Sequence, residues 1–166
     1  MNRPTLLVVD DDSYLRQGLE LVLRNEYQLL FAAGAEAAFK LLGEQPVDIV
    51  LADYRMPGMN GLEFLKLVRN CYPDTVRIVL TGHASADVAI QAMNEAEVYR
   101  FLTKPVDRTE LMVTLYLAYE RLQLERENRR LYALIHGDPE LARRLDEHPV
   151  ESAAAPRATP AVTVRA

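Results

Sequence analysis

Leu6-Leu7-Val8-Val9-Asp10-Asp11-Asp12 sets four apolar residues directly before three acids. An unbroken apolar run of this kind marks a strand buried on both faces, as in a parallel sheet. The acids place something polar at its carboxyl end. The arrangement returns downstream: Val47 to Ala52 (VDIVLA) leads into Asp53, Val76 to Leu80 into Thr81, and Val98 to Leu102 into Thr103 and Lys104. Leu29-Leu30-Phe31-Ala32 reads as a further strand.

Helical spacing fills the intervals. Leu15, Leu19, Val22 and Leu23 recur on one helical face. Gly34 opens and Gly43 closes a segment carrying Ala38, Leu41 and Leu42. The turn formers Pro57-Gly58-Met59-Asn60-Gly61 precede a helix bearing Leu62, Leu65 and Val68. A fourth helix is expected from Ala86 to about Ala92, and Asp107 with Glu110 forms a capping box for the last. Strands alternating with helices imply right-handed βαβ units. The expected fold is α/β, a five-stranded parallel sheet of the flavodoxin-like doubly wound (βα)5 type with an extended C-terminal helix.

That last helix is long for its domain. From Arg108 no breaker intervenes until Gly137, and Leu117, Leu124 and Leu131 fall seven residues apart. Thr114, Arg121, Asn128 and Ile135 occupy the paired heptad positions. Either the leucines pack back on the domain, or they form the seam of a short parallel coiled coil with Asn128 fixing its register. Leu117, Leu124, Asn128 and Leu131 are therefore candidates for a homodimer seam. The organisation expected is a globular unit over residues 1–120, a helical extension over 121–136, and a tail over 137–166. One more short helix, Glu140 to Leu145, is possible, and from Ser152 the Ala, Pro and Thr composition suggests disorder.

Composition narrows the classes. Hydrophobic residues make up 49% and charged ones 26%, as in globular proteins, and the formal net charge of −5 argues against direct nucleic-acid binding. No apolar stretch approaches a membrane span or a signal-peptide core. A single cysteine, Cys71, excludes an internal disulfide and suits a reducing cytoplasm. His83, His136 and His148 lack metal-ligand spacing.

In an open parallel sheet the carboxyl ends of the strands border one crevice where the strand order reverses. Asp10, Asp11, Asp12, Asp53, Thr81 and Lys104 should converge there. Two carboxylates ~4 Å apart repel by about 4 kcal/mol at an effective dielectric of 20. One must take up a proton, or a cation must join them. A hard divalent ion such as Mg2+ is the simplest answer, because it accepts one or two carboxylates plus a phosphoryl oxygen. An aspartate can act as nucleophile and form an acyl phosphate, while a lysine and a hydroxyl stabilise charge on the transferring oxygens. Taken singly, one acid of the triplet could merely cap a helix, Thr81 could be an ordinary strand residue, and Lys104 a solvated charge.

Val8-Val9-Asp10-Asp11-Asp12, Asp53-Tyr54-Arg55-Met56-Pro57-Gly58-Met59-Asn60-Gly61, Thr81-Gly82 and Lys104-Pro105 together resemble the receiver domain of two-component response regulators, over roughly residues 4 to 120. The resemblance implies that Asp53 accepts a phosphoryl group from a histidine kinase or phosphotransfer protein. It implies that Asp10, Asp11 and Asp53 hold Mg2+, with the backbone carbonyl of Arg55 as a further ligand. Thr81 would bind a phosphoryl oxygen, Lys104 would pair with it, and the bond to Pro105 would be cis. Phosphorylation would draw Thr81 inward and let Phe101 rotate, changing the face formed by the fourth helix, the fifth strand and the last helix and so controlling a downstream protein effector. A static core ring is the competing reading of Phe101.

The stretch Tyr99 to Val106 is similar to receivers that precede cyclic-di-GMP phosphodiesterases of the HD-GYP class or the ATPase of transcription activators. No such motif, and no helix-turn-helix pattern, follows. The chain reads as a stand-alone receiver or a fragment, the former being more economical. It would be no enzyme beyond slow self-dephosphorylation, whose rate Arg55 and His83 could set. Two readings compete. Asp10-Asp11-Asp12 opens like haloacid-dehalogenase-like phosphatases, with Asp10 as nucleophile, and the leucine seam could make the chain a dimerisation module.

Overall fold

A computed structural model of the chain describes residues 3–82 and 94–137. The elements are β1 (Thr5–Val9), α1 (Ser13–Leu23), β2 (Gln28–Ala32), α2 (Ala35–Glu44), β3 (Ile49–Asp53), α3 (Gly61–Cys71), β4 (Val76–Thr81), β5 (Arg100–Thr103) and α4 (Arg108–His136). All pairings are parallel and the strand order is β2-β1-β3-β4-β5. This is the doubly wound, flavodoxin-like sheet expected from the apolar runs. Its order reverses between β1 and β3, which sets their carboxyl ends side by side. The helix expected at 86–92, the short one at 140–145 and the tail lie outside the described residues. Among the described residues no helix is long and apolar enough to cross a membrane.

Strand alternation divides the core between two faces. Leu7, Val9, Val50, Ala52 and Val79 pack with Ala38, Leu42, Phe64, Leu65 and Val68 of α2 and α3. Leu6, Val8, Ile49, Leu51, Ile78 and Leu80 pack with Leu19 and Leu23 of α1 and Leu111, Leu115, Ala118 and Leu122 of α4. The middle residues of β1 and β3 are therefore apolar whichever way they point, and both strands are buried throughout.

Arg77 interrupts this pattern. It is buried in β4, donating from Nε to the Ala96 carbonyl (2.9 Å) and from Nη1 to the Thr75 carbonyl (2.7 Å). Nη2 donates to the Glu97 carbonyl at 3.3 Å. Lys66 and Arg69 of α3 pair with Glu95 and Glu97, so the approach to β5 is tied to both α3 and β4. Burial holds the Arg77 guanidinium below its ordinary pKa despite the nearby Glu97 carboxylate.

Local signals set the helix ends. Asp12 caps α1, accepting from the amides of Tyr14 and Leu15. Asn60 and Glu63 form a reciprocal capping box on α3. Asp107 accepts from the Glu110 amide, and Gly137 ends α4 in the left-handed conformation at φ 63°. Gly43 does not close its helix as expected. α2 runs one residue further, to Glu44, because Gly43 keeps helical backbone and the chain turns extended only at Gln45.

α4 runs unbroken across residue 120. Leu122 and Ala133 are buried, Arg126 Nη1 meets Asp48 Oδ1 at 2.8 Å, and Arg129 pairs with Asp74. Leu117, Leu124 and Leu131 do not pack back on the domain: they are 48%, 65% and 47% exposed. Thr114 is buried against the core, so it belongs to the docked face and not to the seam.

The loop after β3 approaches its own strand closely. The Gly61 amide donates to the Tyr54 carbonyl at 2.9 Å. A Cβ at Gly61 would lie 2.0 Å from the Asp53 carbonyl oxygen and 3.0 Å from the Tyr54 Cα. Backbone on both sides cannot yield as a flexible side chain would, so only glycine fits. Gly61→Ala is expected to lower the unfolding free energy by about 1–3 kcal/mol in urea titrations and to displace the Asp53 amide resonance. A variant with wild-type stability and spectrum would contradict the close approach.

Candidate functional site

β1 ends one residue before Asp10, β3 ends in Asp53, β4 in Thr81, and Lys104 follows β5. The reversal of strand order gathers them. Lys104 Nζ lies 2.8 Å from Asp10 Oδ2 and 3.1 Å from Asp53 Oδ1. Carboxylate oxygens of Asp10, Asp11 and Asp53 all lie within 4.8 Å of one another. The Lys104 amide donates to the Thr81 carbonyl at 2.7 Å, fixing the base of the lysine to the end of β4. The Lys104–Pro105 bond is cis, as expected.

The acidic triplet divides into three roles. Asp10 is buried, with Oδ1 accepting from the Asp12 amide at 2.8 Å and Oδ2 holding Lys104. Arg16 donates to the Asp10 carbonyl, tying α1 to this strand end. Asp11 is exposed, and Asp12 is committed to capping α1. With both oxygens of Asp10 engaged, the geometry disfavours Asp10 as the nucleophile of a phosphatase.

Burial is the main reason that the Asp53 carboxyl sits above the usual carboxylate range, while the Lys104 hydrogen bond and charge and the Arg55 amide pull it back down. Burial pulls Lys104 down, but the hydrogen bonds and charges of Asp10 and Asp53 outweigh it, and its pKa is raised. The lysine is thus held charged between two acids.

Thr81 is fully buried. Phe101 is half-buried against the α2–α3 core, and its register partner on β4 is Val79. By strand alternation Thr81 and Phe101 share one face of the sheet on neighbouring strands. Arg55 is exposed, and its amide reaches Asp53. His83 lies outside the described residues. Sequence reasoning missed Gly61, whose role needs three-dimensional contact to see. It also missed the Asn60–Glu63 box, which the S/T/D/N-x-x-E pattern would have found.

The donor set suits a hard divalent ion. Every candidate side-chain ligand is a carboxylate oxygen, and three carboxylates against one ammonium leave two negative charges. Asp11 opens the cluster to solvent.

Residues 6–116 match the model of the response regulator receiver domain. The chain is 39% identical over 127 residues to the hydrogenase transcriptional regulatory protein HoxA of Cupriavidus necator, covering 76% of this chain and 26% of that regulator. It is 37% identical over 108 residues to the response regulator PilR of Pseudomonas aeruginosa, covering 64% and 24%. The chain thus spans about a quarter of the length of these curated relatives. Among solved structures it resembles the signal receiver domain of an HD domain-containing protein from Pseudomonas fluorescens Pf-5, with a TM-score of 0.73 and 38% identity, covering 76% of this chain and 94% of that one. A fully parallel sheet whose order reverses beside Asp10 and Asp53, matched over residues 6–116, places this chain in the response regulator receiver domain family of two-component signalling.

Proposed function

We propose that Asp53 accepts a phosphoryl group from a phosphohistidine on a histidine kinase or phosphotransfer protein, and that the domain then changes the face it offers a downstream protein effector. One observation carries this reading: Lys104 Nζ is held between the Asp10 and Asp53 carboxylates at the end of the strands that flank the reversal. An oxygen of Asp53 attacks phosphorus, a P–O bond forms as the P–N bond breaks, and the imidazole leaves with the electron pair. Desolvation by burial strengthens Asp53 as a nucleophile, and Lys104 favours its ionised form.

Asp10, Asp11 and Asp53, with the backbone carbonyl of Arg55, would hold Mg2+, which when bound neutralises charge on the phosphoryl oxygens. Lys104 contributes a second positive charge beside the same oxygens, and the Thr81 hydroxyl donates to one of them. Phe101 follows Thr81 because the two share a sheet face, and β5 and α4 carry the change to the surface. Residues 1–120 act as the receiver, 121–136 extend its last helix, and 137–166 form a tail. Turnover is at most slow loss of the phosphoryl group. The location is cytoplasmic and the effector a protein; a net charge of −5 gives no broad attraction to nucleic acid or an anionic membrane.

Incubation with a small acyl phosphate and Mg2+, followed by intact mass, is expected to give one phosphoryl adduct. Chelator and Asp53→Asn should each remove it, and an adduct surviving in Asp53→Asn would reject the assignment. Lys104→Met should slow phosphorylation roughly ten- to a hundredfold. The same variant leaves Asp10 and Asp53 facing each other without their ammonium. Its stability in chelator should fall by about 2 kcal/mol, with partial recovery in millimolar Mg2+. Equal loss with and without the ion would argue against a cation at the cluster.

A further inference from the structure

α4 has two working faces. At 100° per residue, Leu111, Leu115, Ala118 and Leu122 of the docked face lie roughly 145° around the helix from Leu117, Leu124, Leu131 and Ile135. The first set is buried; Leu124 is 65% and Ile135 78% exposed. Beyond the core, the docked face is fastened by charge. Asp48 precedes β3 and receives Arg126 on Oδ1 and the Thr5 amide on Oδ2, both at 2.8 Å, while Arg129 pairs with Asp74 before β4. These contacts sit at the end of the sheet opposite Asp53. They fix the rotation of the extension and turn the leucines outward.

We propose that this outward face seats the same face of a second copy of the chain, in parallel, and that Arg126 and Arg129 position it to do so. The spacing 117, 121, 124, 128, 131, 135 alternates four and three residues, the repeat that interdigitates with an equal helix. A second copy also answers one of the polar positions. Asn128 is exposed on this face, and an amide at the core of a helix pair is satisfied by the matching amide of an in-register partner, whereas an apolar partner would strand it. Arg121, in the preceding core position, lies over the Tyr99 ring at 5.5 Å and pairs with Glu125 one turn on, so its charge is met within its own chain and does not enter the seam unpaired. Leu117, Leu124, Leu131, Tyr132, Leu134 and Ile135 offer roughly 600 Å2 per copy, at the lower edge of a specific interface and consistent with roughly micromolar association. The docked side faces away from the seam, so the two domain bodies lie on opposite flanks of the helix pair.

Sedimentation of the full chain across micromolar concentrations should show a monomer–dimer equilibrium. Leu124→Glu should abolish the dimer and, below the dissociation constant where both proteins are monomers, leave the melting temperature unchanged, since that side chain is 65% exposed in the monomer. Leu117→Cys, with Cys71→Ser to remove the exposed native thiol, should form an intermolecular disulfide, because a parallel in-register pair sets residue 117 against itself whereas an antiparallel one sets it near Ile135. Arg126→Ala with Arg129→Ala should weaken association several-fold while helical circular dichroism persists. A monomer at every concentration, or a dimer that survives Leu124→Glu, overturns the interface. A dimer without the disulfide overturns the parallel register, and an unchanged Kd in the arginine variant overturns the positioning role. Asp53→Asn should dimerise like the wild type, which separates this interface from the phosphoryl chemistry.

Discussion

The constraint on which the rest of this domain depends is electrostatic. Asp10 and Asp53 are both buried and share Lys104 at 2.8 and 3.1 Å. Like charges this close, removed from water, would ordinarily drive one acid to take up a proton. The lysine opposes that by lowering the cost of the Asp53 charge, and the acids in turn offset the burial of the lysine and raise its pKa. Each group makes the others admissible. The arrangement still carries excess negative charge once the exposed Asp11 is included, which makes it receptive to a further cation.

Holding that balance requires backbone precision. The sheet order sets the ends of β1 and β3 side by side, and the surrounding loops then narrow the freedom of each side chain. The Asp12 amide orients Asp10 while its carboxylate caps α1. Gly61 lets the loop after β3 close onto the Asp53 carbonyl, and the Asn60–Glu63 box starts α3 directly behind it. The Thr81 carbonyl anchors the lysine backbone. Ordinary secondary-structure devices, each worth about a kilocalorie, thus position a chemical site.

Much of this was legible in the sequence, for identifiable reasons. Strands buried on both faces leave largely apolar runs, and four of these runs marked the strand ends beside which Asp10, Asp53, Thr81 and Lys104 lie. Asp10, Asp53, Thr81 and Lys104 could be placed at one edge of the sheet from those runs alone. The contacts that depend on distance were not legible. Nothing local marks Gly61 as backbone against backbone, or Arg77 as a buried hub bound to the carbonyls before β5. In the sequence Arg77 merely interrupts an apolar run. The heptad in α4 was visible, but not which of its two apolar stripes the domain would cover. Thr114 was assigned to the outward stripe and proves to be buried, because a helix with leucines on both sides has two periodic solutions.

α4 joins the two ends of the molecule. Its cap, Asp107, lies three residues after Lys104, so the start of the helix is tied to the acceptor end of the sheet. Its later turns are bound to Asp48 and Asp74 at the opposite end. The intervening residues, Leu111, Leu115, Ala118 and Leu122, form a continuous buried stripe against the core. A rigid element held at both ends cannot accept a change at one end alone. Any shift of β5 that follows Thr81 and Phe101 must either slide this stripe along the sheet or load the ion pairs at the rim. Close-packed interiors resist sliding, whereas partly exposed ion pairs exchange with water at little cost. The rim is therefore where motion started at Asp53 would be expressed, and it is the same place that sets the orientation of the outward leucines.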